Sequence, residues 1–368
     1  MKSITRVAFP ILVFVCAAFC FSQTAVKSGT PAPAASAKPQ VKPEAAKTDP
    51  ASADKDEVIP PAEPNAIFPA VAARVNGKPI LGRELESAVR RELALIGSPE
   101  WKNLRAEYRL QLTLNLFAVL LNAKLIYQKA LASGIAVTEA DVQAELQKIT
   151  QAFKTDAEMN SYLASQMLDR ASLEKSLYES IAISRYLDET INKKITVSPE
   201  ELAKYYTSNT KEFQHPDLVR ISQILISAGE SASEDTLGKQ RAEALLARVK
   251  KGEDFAKLAK ENSTDPSASQ GGDIGYMSRD ALEPQYAEAA FSLPAGGLRM
   301  IRIKEGYLII KVADKKKEGL STLEEVKERL TEFLKGQKSQ AEITKLVNQL
   351  REQAKIEIYI DQAQGAQP

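Results

Sequence analysis

The chain has 368 residues, 44% hydrophobic and 26% charged, ordinary proportions for a soluble globular protein long enough for two domains plus tails. Its 49 basic and 48 acidic residues nearly cancel, and no basic stripe is evident, which argues against nucleic acid as a partner.

Residues 1–22 read as a secretory signal peptide. Lys2 and Arg6 precede an apolar run from Val7 to Phe21, broken only by Pro10, and Cys20 and Ser22 supply small residues at minus three and minus one for cleavage before Gln23. The run falls short of the ~20 residues needed to cross a bilayer, so cleavage is expected and membrane contact arises only through an uncleaved signal. Lipidation at Cys20 is disfavoured by the bulk of Phe19. Both cysteines, Cys16 and Cys20, fall in this segment, so the mature chain is expected to hold no disulfide, thiol nucleophile or cysteine metal site. An exported protein of the periplasm or cell envelope follows.

Residues 23–69 form a tether rich in Pro, Ala, Lys and Ser, with TPAPAASAKPQVKPEAAK and then IPPAEP. Such a composition cannot bury enough surface to offset ordering entropy and reads as an extended spacer.

Residues 70–213 are predicted to be helical after an opening hairpin. VAARVNGKPI at 71–80 alternates around Asn76-Gly77, a two-residue hairpin signal. Leu85, Val89, Leu93 and Ile96 then show helical spacing, and a long amphipathic helix runs from about Asn103 to Ser133. Thr138-Glu-Ala-Asp141 and Ser198-Pro-Glu-Glu201 read as capped helix starts, and further helices are expected over 156–168 and 170–193. Trp101 reads as a packing anchor and His215, before Pro216, as a solvated linker residue.

The segment 214–315 alternates strand and helix signals. VRISQILIS is a β-run, Leu237 to Val249 an amphipathic helix, and Phe255 to Ala259 the start of a shorter one. Gln270-Gly-Gly-Asp-Ile-Gly275 suits a backbone turning through positive φ, Pro294-Ala-Gly-Gly297 is a turn, and GYLIIKVAD a closing strand. The expected order is β-α-α-β-α-β-β. Residues 316–360 add a long helix over 321–354 and the alternating strand KIEIYI at 355–360, leaving a tail at 361–368. A lone terminal strand needs a partner, and the natural one is the hairpin at 71–81. The fold class is therefore α+β: a discontinuous helical domain with a small terminal β element, closed from both ends of the chain, plus an inserted α/β domain.

The succession GEDFAKLAKENSTDPSASQGGDIGYMSRDALEPQYAEAAFSLPAGGL resembles the parvulin (PpiC, or rotamase) family of peptidyl-prolyl cis-trans isomerases. With AARVNGKPILGREL at 72–85, VSPEELAKYY at 197–206 and the terminal helix and strand, the plan over roughly 70–360 resembles the SurA and PrsA class of exported folding factors. The resemblance implies an apolar cup for the prolyl ring at Met277, Leu282 and Tyr286, where the family usually has Phe, Met and Phe. It places Asp265 beside the twisting bond, although Asp265 reads equally well as a turn cap ahead of Pro266. It also implies a hydrogen-bonded histidine pair where this chain has Gln223 and Leu308, and leucine neither donates nor accepts. Asp265, Gln223 and Leu308 are thus the catalytic-position candidates, two of them altered.

Rotation about an X–Pro bond breaks no bond, so no cofactor, metal or ATP is implied. The implied partners are unfolded or extended polypeptides carrying X–Pro bonds. The implied function is an exported chaperone with a weakened isomerase domain; the alternative is a catalytically inactive docking module of the envelope.

Overall fold

The computed structural model describes residues 66–229 and 231–360. The expected signal peptide, most of the tether and the tail at 361–368 lie outside the described residues. Packing divides the chain into two compact units, one of residues up to Thr196 together with those from Leu334 onward, the other Val197–Phe333.

The first unit opens on β1 (Val71–Val75) and β2 (Lys78–Leu81), joined by Asn76 and Gly77 at φ 52° and 81°, both left-handed as a two-residue hairpin turn requires. The terminal strand β9 (Ile356–Ile358) pairs antiparallel with β1, giving the order β2-β1-β9. Asn76 is also the clamp for this pairing: its N–H donates to Lys355 O at 2.8 Å, and its side-chain oxygen accepts from Lys355 N at 2.9 Å. The tether ends earlier than expected, because Phe68 is buried edge-on against Trp101 and Ile67 N donates to Glu86 Oε2 at 3.1 Å. Two large apolar groups suffice to bring that stretch into the core.

Helix α1 (Gly82–Leu95) buries Leu85, Val89 and Leu93 at four-residue spacing against the sheet. α2 (Ala106–Ala132) is long and apolar enough to cross a membrane by length and composition. In this fold it serves two cores: Leu112, Phe117, Leu121 and Leu125 join the sheet cluster, while Ile126 and Ala130 meet a second cluster. That second cluster takes Ala182, Ile183 and Leu187 from α5 (Arg170–Thr190) and Ile343 and Val347 from α10 (Leu323–Gln353). α3 (Glu139–Thr150) and α4 (Asp156–Ser165) enclose Leu146, Met159 and Leu163 with Leu173 of α5. Thr138, Thr155 and Asp169 each accept a backbone N–H at the starts of α3, α4 and α5.

The second unit is built on a four-stranded antiparallel sheet of order β5-β4-β7-β6, from β4 (Leu218–Ser227), β5 (Asp273–Ser278), β6 (Leu298–Ile303) and β7 (Gly306–Lys316). One face carries Ile224, Ile226, Tyr307 and Ile309 against α7 (Ala232–Lys250) and α8 (Phe255–Asn262). The other carries Val219, Ile221, Leu308 and Ile310 against α9 (Pro284–Ser292). This is the expected β-α-α-β-α-β-β order. The packing boundary lies outside the expected 214–315, taking in α6 (Pro199–Ser208), the short pair β3 (Gln214–His215) with β8 (Gly319–Leu320), and the start of α10. Aromatic packing explains the extension. Tyr206 lies 4.9 Å from Phe213, Tyr205 lies 5.6 Å from Phe333, and Tyr206 OH donates to Ser321 O at 2.8 Å.

Ile360 is buried in the sheet cluster and Tyr359 N donates to Ala72 O, so removing residues 355–368 from the full chain should cost the first unit about 3 kcal/mol or more. Thermal melting should show that loss, while hydrogen exchange of β4 and β7 amides stays unchanged.

Asp141 offers a test by pH. The hydrogen bond from Arg185 Nη2 at 2.5 Å, then the α3 cap, hold its carboxyl down to about 2, from an ordinary 3.8. A depressed folded value stabilises above 3.8 and is lost as pH falls towards about 2. The melting deficit of Asp141→Asn should therefore be full at pH 7 and close between about pH 4 and pH 2.

Candidate functional site

The site grows from the glycine turn that brings β5 alongside β4. Gly272 has φ 81°, and a Cβ there would meet Gln223 O at 2.2 Å, so only glycine allows the approach that lets Gln223 N donate to Gly272 O at 2.8 Å. From that anchor β5 places Met277 opposite Val219. A 3-10 turn at Arg279–Ala281 leads to Leu282, and α9 then begins with Pro284 at its first position, which suits its fixed φ. Met277, Leu282 and Tyr286 are all half-buried and pack on the cluster of Val219, Ile221, Leu308 and Ile310. The three residues expected to line the cup are therefore brought together.

Beneath them runs a chain of polar groups. Tyr286 OH donates to Gln223 Oε1 at 2.6 Å, and Gln223 Nε2 donates to Asp265 Oδ2 at 2.9 Å. The carboxylate can only accept, which sets the amide orientation. Gln223 is 9% exposed, and both ends of its amide are satisfied. Asp265 caps the 3-10 turn Pro266–Gln270, its Oδ1 accepting from Ser267 N at 2.8 Å and from Ser267 Oγ. The cap reading of Asp265 is met by one oxygen, while the other accepts from Gln223. Ser263 Oγ fixes the approach by accepting from Leu225 N at 3.0 Å and from Asp265 N at 3.2 Å. Burial, followed by the nearby Asp265 charge, pushes the Tyr286 hydroxyl well above its ordinary value, so it stays a neutral donor.

Leu308 is not part of this chain. It is 3% exposed, stands opposite Leu225 and Ile301, and belongs to the apolar cluster. Directly across from Gln223 is Ile310. The Gln223 and Leu308 positions share a face one diagonal step apart, a separation of about 7–8 Å in a sheet. Gln223 instead finds its partners outside the sheet, on α9 and the loop before β5. Sequence reasoning missed Ser263 and Ser267 as supports; the Asp265-Pro266-Ser267 cap follows from local capping rules, whereas the Tyr286–Gln223 bond joins residues 63 apart. A cavity of about 50 Å³ in the first unit, lined by Arg83, Glu84, Leu168, Ser172, Lys175 and Glu179, contains none of the expected site residues.

A family description, the PPIC-type PPIASE domain, matches residues 202–316, and a second, the SurA-like N-terminal domain, matches residues 62–187. The foldase protein PrsA of Geobacillus kaustophilus is 31% identical over 230 residues, covering 61% of this chain and 73% of its own. The chain belongs to the PrsA/SurA family. The PrsA of Oceanobacillus iheyensis is 28% identical over 65% of this chain and 75% of its own length. The chaperone SurA of Burkholderia orbicola is 32% identical over 67% of this chain and 55% of its own, so the chain spans little more than half of the SurA relative it matches. The PPIC-type match starts within α6 and ends at the last residue of β7, so Met277, Leu282, Tyr286 and the polar chain all fall inside the matched residues.

The polar chain predicts the cost of breaking it. Gln223→Leu leaves Tyr286 OH and Asp265 Oδ2 without their partner and should cost the second unit about 1–3 kcal/mol in denaturant unfolding. Gln223→His can both accept from Tyr286 and donate to Asp265, and should cost less than half as much.

Proposed function

We propose that this chain is an exported folding factor whose PPIC-type domain seats proline residues of unfolded or extended polypeptides, with slow turnover of the X–Pro bond. Family membership supports the folding role. The Tyr286–Gln223–Asp265 chain carries the finer reading.

Twisting an X–Pro amide meets a barrier of about 18–20 kcal/mol, set by resonance between nitrogen and carbonyl. A protein lowers it by drawing the amide out of water and by presenting fixed dipoles to the twisting carbonyl. The cup of Met277, Leu282 and Tyr286 supplies the first contribution. The second is limited, because the carbonyl and one N–H of the Gln223 side chain and both oxygens of Asp265 are already engaged with protein groups. Binding and rotation therefore separate: ring burial is hydrophobic and needs no free donor, while acceleration does. Where the family has two histidines, the chain keeps one hydrogen-bonding residue, Gln223, and puts an apolar residue, Leu308, at the other. Export to the periplasm or cell envelope is part of the same proposal, on the strength of the N-terminal signal pattern.

The test is X–Pro peptide binding and isomerisation by the exported protein. A large side chain in such a cup contributes about 1.5–3 kcal/mol, so Tyr286→Ala should weaken peptide binding about tenfold or more. Wild type should isomerise more slowly than the Gln223→His/Leu308→His form. Equal rates would refute the limiting role assigned to these two positions. Absence of any peptide response at the cup would favour the docking-module alternative.

A further inference from the structure

The four-stranded sheet of the second unit ends on two edges that differ in kind. At the β5 edge the register shifts between Ile221 and Ser222, Gly275 turns to φ 74°, and its N–H is taken by Asp273 Oδ1 at 2.9 Å. A bulge and a side-chain cap of this sort stop further pairing. In the first unit's sheet the outer strands are four and three residues long, and β2 carries Pro79. The β6 edge has no such device. Its six residues, Leu298–Ile303, pair with β7 without a register shift and include neither proline nor glycine.

Which backbone groups face outward follows from the ladder. Val312 N donates to Gly297 O at 3.0 Å, so Gly297 and, at every second position, Arg299, Ile301 and Ile303 turn their backbone groups to β7. The N–H and C=O of Leu298, Met300 and Arg302 therefore point away from the sheet, and among the described residues they have no hydrogen-bond partner. The cations that would guard this edge are drawn off it. Arg302 Nε donates to Asp235 Oδ1 at 2.9 Å on the α7 side, and Arg299 Nη1 to Ser292 Oγ at 3.1 Å on the α9 side. The apolar side chains alternate in the same way: Leu298 and Met300 are half-buried in the cluster with α7, Ile301 and Ile303 in the cluster with α9. Arg299 is exposed and meets only a neutral hydroxyl, with no ion-pair partner among the described residues.

We propose that β6 is a docking edge for an extended client segment in which apolar residues alternate with acidic ones, added to the sheet as a fifth strand. Main-chain bonds to Leu298, Met300 and Arg302 supply affinity that tolerates varied sequence. Apolar side chains of the segment, on the α7 side, cover Leu298 and Met300, and acidic ones, on the α9 side, meet Arg299. An open edge is a liability in most proteins because it recruits other chains; here the recruited chain is the client. The proposal rests on the reading of the chain as a folding factor and not on the proline seat, since it gives the second unit a client contact that needs no X–Pro bond.

Amide hydrogen exchange of the full exported chain, read residue by residue by NMR, tests it with two proline-free probes, blocked Val-Glu-Val-Glu-Val-Thr and Val-Lys-Val-Lys-Val-Thr. At about ten times its Kd the Glu peptide should slow exchange at Leu298, Met300 and Arg302 about tenfold, and leave Arg299 and Ile301, which face β7, unchanged. Met300→Pro removes one outward N–H without breaking a bond to β7, and should weaken the Glu peptide about tenfold or more. Met300→Ala keeps that N–H and should weaken it less than about threefold. Arg299→Glu should reverse the preference for the Glu over the Lys peptide. Should Met300→Pro unfold, visible as lost protection of β4 and β7 amides, the wild-type exchange pattern and the Arg299→Glu preference decide. Bound peptide that leaves the three outward amides unprotected, or an equal Kd for folded Met300→Pro, overturns the docking edge. Loss of proline-free binding in Tyr286→Ala would seat the peptide in the cup and overturn it too. If neither proline-free peptide binds while an X–Pro peptide still responds at the cup, the edge falls and the proline seat stands. Protection that appears without peptide and grows with protein concentration assigns the edge to a second copy and also overturns the proposal. A Glu preference that survives Arg299→Glu overturns the acidic selectivity.

Discussion

A single residue, Gln223, ties together the parts of the second unit that make its candidate site. Its backbone N–H is held by Gly272 across a gap only glycine permits, and its side chain links α9 through Tyr286 to the loop before β5 through Asp265. A buried amide with an unmet donor or acceptor costs about 1–3 kcal/mol, so strand, helix and loop are constrained jointly. The orientation of the Tyr286 ring depends on that bond.

This constraint bears on the two positions where the family resemblance implies histidines. A neutral imidazole offers one donor and one acceptor, and a glutamine amide can offer the same pair in a similar reach. Gln223 uses them on Tyr286 and Asp265, so a polar chain persists although its members differ from those the family resemblance implies. Leu308 has gone the other way, into the apolar layer between β7 and α9. The Tyr286 phenol supplies the donor that Gln223 Oε1 accepts.

The first unit shows a similar economy in Asn76. One residue takes the left-handed turn of the hairpin and hydrogen-bonds the chain entering β9, so a local turn signal also docks the far end of the sequence. Gln128 of α2 reinforces the arrangement, donating to Val75 O at 2.9 Å and accepting from Asn76 Nδ2 at 2.8 Å. The apolar residues of α2 meet two clusters, that of the sheet and that with α5 and α10.

Elements governed by local chemistry were legible in the sequence: the Asn76-Gly77 hairpin, the capped starts of α3 and α6, the glycine turn before β5, the order of strands and helices in the second unit, and the need of KIEIYI for a partner. Hydrophobic periodicity and turn preferences act over a few residues, so a single sequence suffices to read them. That Met277, Leu282 and Tyr286 pack on one apolar cluster was foreshadowed by the family resemblance, because they sit in one contiguous motif. Where the second unit ends was decided by rings at Tyr205, Tyr206, Phe213 and Phe333, which meet only when α6 and the start of α10 close together. The early end of the tether was decided by Phe68 reaching Trp101. The partners of Gln223 were decided by sheet register and the placement of α9, since Ile310 and not Leu308 faces it and Tyr286 arrives from 63 residues away. Side-chain hydrogen bonds over such separations depend on the packing of whole elements, and no local pattern encodes them.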